Sequence, residues 1–198
     1  MRADHAVAPA RQGPDGSPAW AVYRLTPPIP PRKHSFPPIV DARSRVLVLG
    51  TLPGEESLRR AEYYAHPRNL FWPIVFALFG RDAPPPVYAE KLAFVLAQRI
   101  ALWDVCEATQ RLASADSTIA DELPNTIHDL LDAHPGICAV AFNGSGARRL
   151  YDRHFTRRPG LLYLALPSTS PAHARLGFAE KLASWKLLWE AARTAQTF

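Results

Sequence analysis

Ten consecutive residues, Tyr63-Tyr64-Ala65-His66-Pro67-Arg68-Asn69-Leu70-Phe71-Trp72, bring together four aromatic rings, an imidazole and a carboxamide. A flat aromatic ring is a stacking platform for a planar ligand, such as a nucleobase taken out of its duplex. The Asn69 amide carries both an acceptor and a donor, so it can orient a water molecule without changing charge. The plainer alternative has Asn69 capping a helix that starts at Leu70, with Tyr63, Tyr64, Phe71 and Trp72 as core.

A second cluster, Pro167-Ser168-Thr169-Ser170-Pro171, offers small hydroxyls and amides ahead of a helical stretch. That combination suits gripping a phosphate; its alternative is a proline-stiffened turn with Ser or Thr caps. Asn143-Gly144-Ser145-Gly146 looks like a phosphate loop but lacks the Gly-Lys-Ser/Thr of nucleotide-triphosphate sites. Its spacing also fails the dinucleotide and hydrolase-elbow patterns. His66, His128, His134, His154 and His173 show no metal-binding spacing, and His128 and His134 read as surface or core residues. Cys106 and Cys138 stand alone, and two thiols complete neither a zinc site nor an iron–sulfur cluster. Both are expected to be buried and reduced, and no metal or cofactor is expected.

These residues need elements to position them. Arg45–Gly50, Ile100–Trp103, Ile137–Phe142 and Leu161–Leu166 are short runs of mainly apolar residues, the pattern of strands covered on both faces. Between them lie helical periodicities: Tyr88, Leu92, Val95 and Leu96; Ile127, Leu130 and Leu131; Phe178, Leu182, Trp185 and Trp189. Alternating strands and helices predict an α/β fold, a three-layer αβα sandwich around a short parallel sheet. In such folds ligands bind beyond the carboxyl ends of the strands. Four loops qualify: Gly50-Thr51-Leu52-Pro53-Gly54, Asp104-Val105, Asn143-Gly144-Ser145-Gly146 and Pro167–Pro171.

The composition, 47% hydrophobic and 21% charged, supports a real core, and no apolar run approaches a membrane span. The N-terminus lacks the cationic-then-apolar layout of a secretory signal, so a cytoplasmic protein is expected. Residues 1–40 hold nine of the twenty prolines, which predicts an extended or disordered arm. Trp20, Val22, Tyr23 and Leu25 offer it docking points, and the folded domain should run from 41 to 198. The arm supplies +3 of the net charge of +5, so charge says little about the domain's partners. A better local signal for nucleic acid is Arg148, Arg149, Arg153, Arg157 and Arg158, opposed nearby only by Asp152; a solvated helix end would look the same.

Four segments together resemble the uracil-DNA glycosylase superfamily. Gly50–Gly54 followed by Tyr64–Trp72 is similar to the first motif of its mismatch-specific branch. Leu166-Pro167-Ser168-Thr169-Ser170-Pro171-Ala172 is similar to the second motif, the loop that enters the minor groove. Trp103-Asp104-Val105 and Phe142-Asn143-Gly144 match the intervening pocket strands, and the resemblance spans about residues 34–192. Most members place Asp or Asn before the proline of the first motif, where this chain has Leu52. That departure resembles the hypoxanthine-DNA glycosylase branch, in which the Asn of the His-Pro-x-Asn segment positions water.

Carried across, the resemblance makes Asn69 the water-positioning residue and Tyr64 the ring that stacks on the flipped base. Thr51 and Leu52 border the pocket. Asn143 is the candidate amide contact to the base, with Asp104 a second one. Ser168, Thr169, Ser170 and His66 become DNA contacts. Leu166 stands where other branches carry a His or Asn that stabilises the leaving base. The resemblance implies a monomeric enzyme acting on DNA that contains a deaminated base, hydrolysing the N-glycosidic bond and leaving an abasic site. Two other readings stay open: a uracil or G·T mismatch glycosylase, and a non-catalytic damage-binding module allowed by Leu52.

Overall fold

The computed structural model describes residues 32–111 and 119–194. The expectations for Trp20, Val22, Tyr23 and Leu25, and for the proline-rich stretch as far as residue 31, lie outside the described residues.

Each expected apolar run is a strand. β2 (Val46–Gly50), β3 (Ile100–Asp104), β6 (Ala139–Asn143) and β7 (Leu162–Leu166) form one sheet in the order β3-β2-β6-β7. All three pairings are parallel. The first three strands are buried along their whole length, which is why their sequences are continuously apolar. β7, on the edge, alternates and leaves Leu162 53% exposed.

The two-residue repeat of a strand divides these side chains between two cores. Val46, Val48, Ile100, Leu102, Ala139 and Ala141 face α2 (Phe71–Leu78), α3 (Tyr88–Ala97) and α6 (Phe178–Thr194). Leu47, Leu49, Ala101, Trp103, Val140 and Phe142 face α4 (Ile127–Ala133) and α5 (Ser145–His154). The result is the expected three-layer αβα arrangement. In α6 the buried stripe runs through Trp185, Leu188, Ala191 and Ala192, and Phe178, expected on it, is 40% exposed.

A second sheet was not foreseen. β1 (Lys33–His34), β4 (Cys106–Arg111) and β5 (Ile119–Pro124) pair antiparallel in the order β1-β4-β5. Its first strand comes from the stretch assigned to the arm, so the boundary expected at residue 40 moves back. Ile39 exchanges both backbone hydrogen bonds with Leu102, at 2.9 and 2.8 Å. The Phe36 carbonyl accepts from Trp103 Nε1 at 3.1 Å. Residues 32–40 belong to the folded body because their non-proline positions carry bonds that prolines cannot.

Two further expectations are corrected. Cys106 is buried but Cys138 is exposed at the start of the sheet. The arginines beyond Asn143 are opposed by more than Asp152, because Arg153 pairs with Glu122 and Arg158 makes two bonds to Asp132, at 2.6 and 3.0 Å. Arg157 pairs with Asp152 as expected. Acids distant in sequence thus pair with two of the five arginines of that patch.

Candidate active site

Parallel pairing puts the strand ends in one row: Gly50 lies opposite Asp104, and Asn143 opposite Leu166. Beyond this row is a pocket of about 120 Å³, comparable in size to an engineered cavity of about 150 Å³ that accepts benzene. Asn69, Tyr64, Thr51, Leu52, Asn143 and Asp104 all line it. So do His66, Ser168, Thr169 and Ser170, which brings every candidate residue to one site.

The segment from Tyr64 to Asn69 is held by local chemistry. Tyr64 has φ 56°, a left-handed conformation that is unusual for a bulky side chain. Its neighbours are tied on both sides. Tyr63 N–H donates to Tyr88 Oη at 2.9 Å, Trp72 Nε1 donates to the Tyr63 carbonyl at 2.9 Å, and Ala65 N–H donates to Ser57 Oγ at 3.2 Å. Such over-determination is how strained residues persist at functional sites. Next, His66–Asn69 forms a turn closed by Asn69 N–H to the His66 carbonyl at 2.8 Å, with Pro67 at its second position. His66 Nδ1 accepts from Arg68 N–H at 3.1 Å, which leaves the proton of the neutral ring on Nε2.

Asn69 fills the capping role considered for it and also lines the pocket. Its Oδ1 accepts from Phe71 N–H at 2.9 Å, an Asx turn that starts α2 and fixes the amide plane. An amide oxygen has two lone pairs and its NH₂ two donors, so capacity remains toward the pocket. The Tyr64 ring stacks on Phe71 with centroids 3.8 Å apart and planes 20° apart, so one face is covered by protein. The Tyr64 hydroxyl is buried and makes no hydrogen bond among the described residues. Burial first, then the Asp104 charge, pushes this phenol well above the usual tyrosine value, so it stays a neutral donor.

At the strand ends, Asp104 is 3% exposed, and its Oδ2 accepts from Ser35 Oγ at 2.9 Å. Gly50 makes room for it: a Cβ there would lie 2.6 Å from Asp104 Oδ1. Asn143 lines the pocket and is also bonded within the protein. Its Oδ1 accepts from Thr169 N–H and its Nδ2 donates to Thr169 Oγ1, both at 2.9 Å, which leaves one amide hydrogen for a ligand.

Thr169 was expected to touch DNA. It is 1% exposed with its hydroxyl engaged by Asn143, and its carbonyl accepts from Leu70 N–H at 3.1 Å. It is an internal clasp joining three pocket segments. Ser168 and Ser170 remain at the surface of the loop. Ser168 Oγ accepts from Ser170 N–H, and Ser170 Oγ caps the short turn Pro171–His173. Both hydroxyls serve the protein as acceptors, and their hydrogens are what a phosphate oxygen needs. Trp185 Nε1 and Lys181 Nζ brace this loop by donating to the Pro167 and His173 carbonyls, each at 2.9 Å.

Comparison with known proteins agrees with this geometry. The family model described as "Uracil DNA glycosylase superfamily" matches residues 37–193. The chain belongs to this superfamily. The glycosylase is 38% identical to a hypoxanthine DNA glycosylase of Methanosarcina barkeri over 57% of its own length and 72% of the relative's. It is 36% identical to the hypoxanthine DNA glycosylase of Methanosarcina acetivorans over 72% of its length and 89% of the relative's. Its fold matches the solution NMR structure of a candidate uracil DNA glycosylase from Methanosarcina acetivorans, with TM-score 0.69 and 32% identity. That match covers 82% of this chain and 99% of the other.

Several residues of the glycosylase's site escaped the sequence reading. Ser57, Tyr63 and His173 line the pocket, and Ser35 lies behind Asp104. His173 had a sequence signal in its place directly after the second motif, and Tyr63 in its place at the head of the aromatic cluster. Glu55 and Glu56 stand at the wall, and each is paired: Glu55 with Lys33, and Glu56 with Arg59 and Arg60, which hold its carboxyl at about 2. Pairing lessens the repulsion these acids would exert on a polyanion.

Proposed function

We propose that this DNA glycosylase hydrolyses the N-glycosidic bond of a deaminated base in DNA, hypoxanthine above all, and leaves an abasic site. The observation that carries the reading is the meeting of Asn69, Tyr64 and Asp104 in a single pocket beyond the strand ends. The nucleotide is flipped at a cost of a few kcal/mol, and its base lies against the uncovered face of Tyr64. Asn69, its amide plane set by Phe71 N–H, directs a water at the sugar as an oxocarbenium-like centre develops. No lysine lines the pocket among the described residues, which favours hydrolysis over an imine route.

Base choice follows from edge chemistry. Deamination of adenine replaces an amino donor and a ring acceptor by the O6 acceptor and N1–H donor of hypoxanthine. Asp104 is an acceptor for N1–H, and the remaining amide hydrogen of Asn143 is a donor for O6. Adenine would set its N1 lone pair against the carboxylate. Uracil shares the N–H and C=O pattern but departs as an anion, which a nearby carboxylate opposes. A purine can take up a proton at N7 before it leaves, so the same charge costs it less. The names of the Methanosarcina relatives support hypoxanthine.

Duplexes carrying inosine, uracil, xanthine or a G·T mismatch test the reading. Hypoxanthine release should exceed uracil release by about tenfold or more, since a carboxylate a few ångströms from a departing anion costs on the order of 1–4 kcal/mol. Release of uracil alone would reject the assignment. No release from any substrate would leave a DNA-binding module.

A further inference from the structure

We infer that Ser35 is a positioning residue for base selection: its hydroxyl sets the rotation of the Asp104 carboxylate that meets the edge of the flipped base. This rests on the base-reading role proposed for Asp104.

Ser35 lies outside all four motif segments, 69 residues from its partner. Its backbone is held on both sides. Ser35 N–H donates to the Glu107 carbonyl at 2.7 Å, directly after the pairing of β1 with β4, and Ile39 is bonded to Leu102 four residues on. The Ser35 hydroxyl has one hydrogen, and the acceptors in range include its neighbour's carbonyl at 3.1 Å and Asp104 Oδ2 at 2.9 Å, with the Tyr63 phenol a further neighbour. The Asp104 oxygen is the closer of the two measured acceptors, so Asp104 takes the hydrogen.

Asp104 has a fixed backbone. It ends β3 opposite Gly50, and its carbonyl accepts from Asn125 Nδ2 at 2.9 Å. The terminal torsion of an aspartate is broad, so a fixed backbone does not fix the carboxylate plane. The bond from Ser35 holds Oδ2 on the side of β1, while Oδ1 lies across the bare Cα of Gly50, a residue of the pocket lining. A hydrogen bond from a ring N–H is directional, so the plane of its acceptor decides how well a base is read.

The test uses the full chain with Ser35→Ala, Ser35→Thr, Asp104→Asn and the double variant Ser35→Ala/Asp104→Asn. Measurements are kcat/KM on an inosine duplex and affinity for two duplexes, one with inosine and one with an abasic site. Ser35→Ala should lower kcat/KM and inosine-duplex affinity about tenfold, the scale of a bond to a charged group. Its affinity for the abasic duplex should equal wild type, because no base is there to read. Ser35→Thr, which keeps the hydroxyl, should recover most of the loss. In the Asp104→Asn background, Ser35→Ala should add little, since coupled residues are non-additive.

Equal loss on both duplexes, or full multiplication of the two effects, would mark Ser35 as merely structural and overturn the inference. Wild-type behaviour of Ser35→Ala beside an impaired Asp104→Asn overturns it alone. Wild-type behaviour of Asp104→Asn overturns the base-reading role and this inference together.

Discussion

Asn69 shows how one side chain can make a structural bond and still face a pocket. Its carbonyl must accept from Phe71 N–H for α2 to start where it does, and that bond orients the amide in the pocket. The two roles separate by substitution. Asn69→Ala should lower turnover about 100-fold, the scale of a misplaced reactant, and cost about 1 kcal/mol through the lost cap. Asn69→Asp keeps the turn acceptor and should restore thermal stability. Single-turnover base release and thermal unfolding measure the two effects, and wild-type turnover by Asn69→Ala would remove the residue from the mechanism. Tyr64 makes a related point. Its left-handed φ is visible only in three dimensions, and the bonds from Tyr63, Trp72 and Ala65 explain how it is held.

At the scale of elements, the site is a junction of strand ends joined by loops that grip one another. Gly144, with φ 101°, lets the chain turn from β6 into α5 while Ser168 packs against it; a Cβ there would come within 2.8 Å of Ser168 Cβ. Thr169 then binds Asn143 through two bonds and Leu70 through a third. Thr169→Val keeps the shape but removes the acceptor for Asn143 Nδ2, leaving a buried donor unsatisfied at about 1–3 kcal/mol. The midpoint of thermal unfolding should fall by several degrees, since about 1 kcal/mol shifts a domain of this size by roughly 2–4 °C. An unchanged midpoint would show that the clasp carries no stability.

For the molecule as a whole, two apolar faces of one sheet set the architecture, and the buried tyrosines that line the pocket tie its stability to alkaline pH. Burial is the main cause that raises both the Tyr63 and Tyr64 phenols above their unfolded value, and the Asp104 charge adds to it. The unfolded chain therefore loses these protons first, near pH 10. Stability from the two neutral phenols is complete below that pH and is lost as pH rises toward their folded values, at up to about 1.4 kcal/mol per pH unit for each. Unfolding in denaturant between pH 9 and 11 should show a falling midpoint, and Tyr63→Phe should flatten the fall. A midpoint independent of pH over that range would contradict the burial of these hydroxyls.

Much of this was legible along the chain because the information is local. An apolar run ended by Gly50, Asp104, Asn143 or the Pro167 loop is a strand that delivers its last residue to the binding edge, so the site could be located before any coordinates. The crowding of Tyr64, His66 and Asn69 within six residues marked the chemistry in the same way. Relations between residues far apart in sequence were decided by tertiary structure. Ser35 behind Asp104, Thr169 turned inward to Asn143, the acids that neutralise Arg153 and Arg158, and the pairing of β1 with β4 have no local signature. Periodicity determines which face of an element is buried, whereas the partner that satisfies a buried polar group is chosen only when the chain has folded.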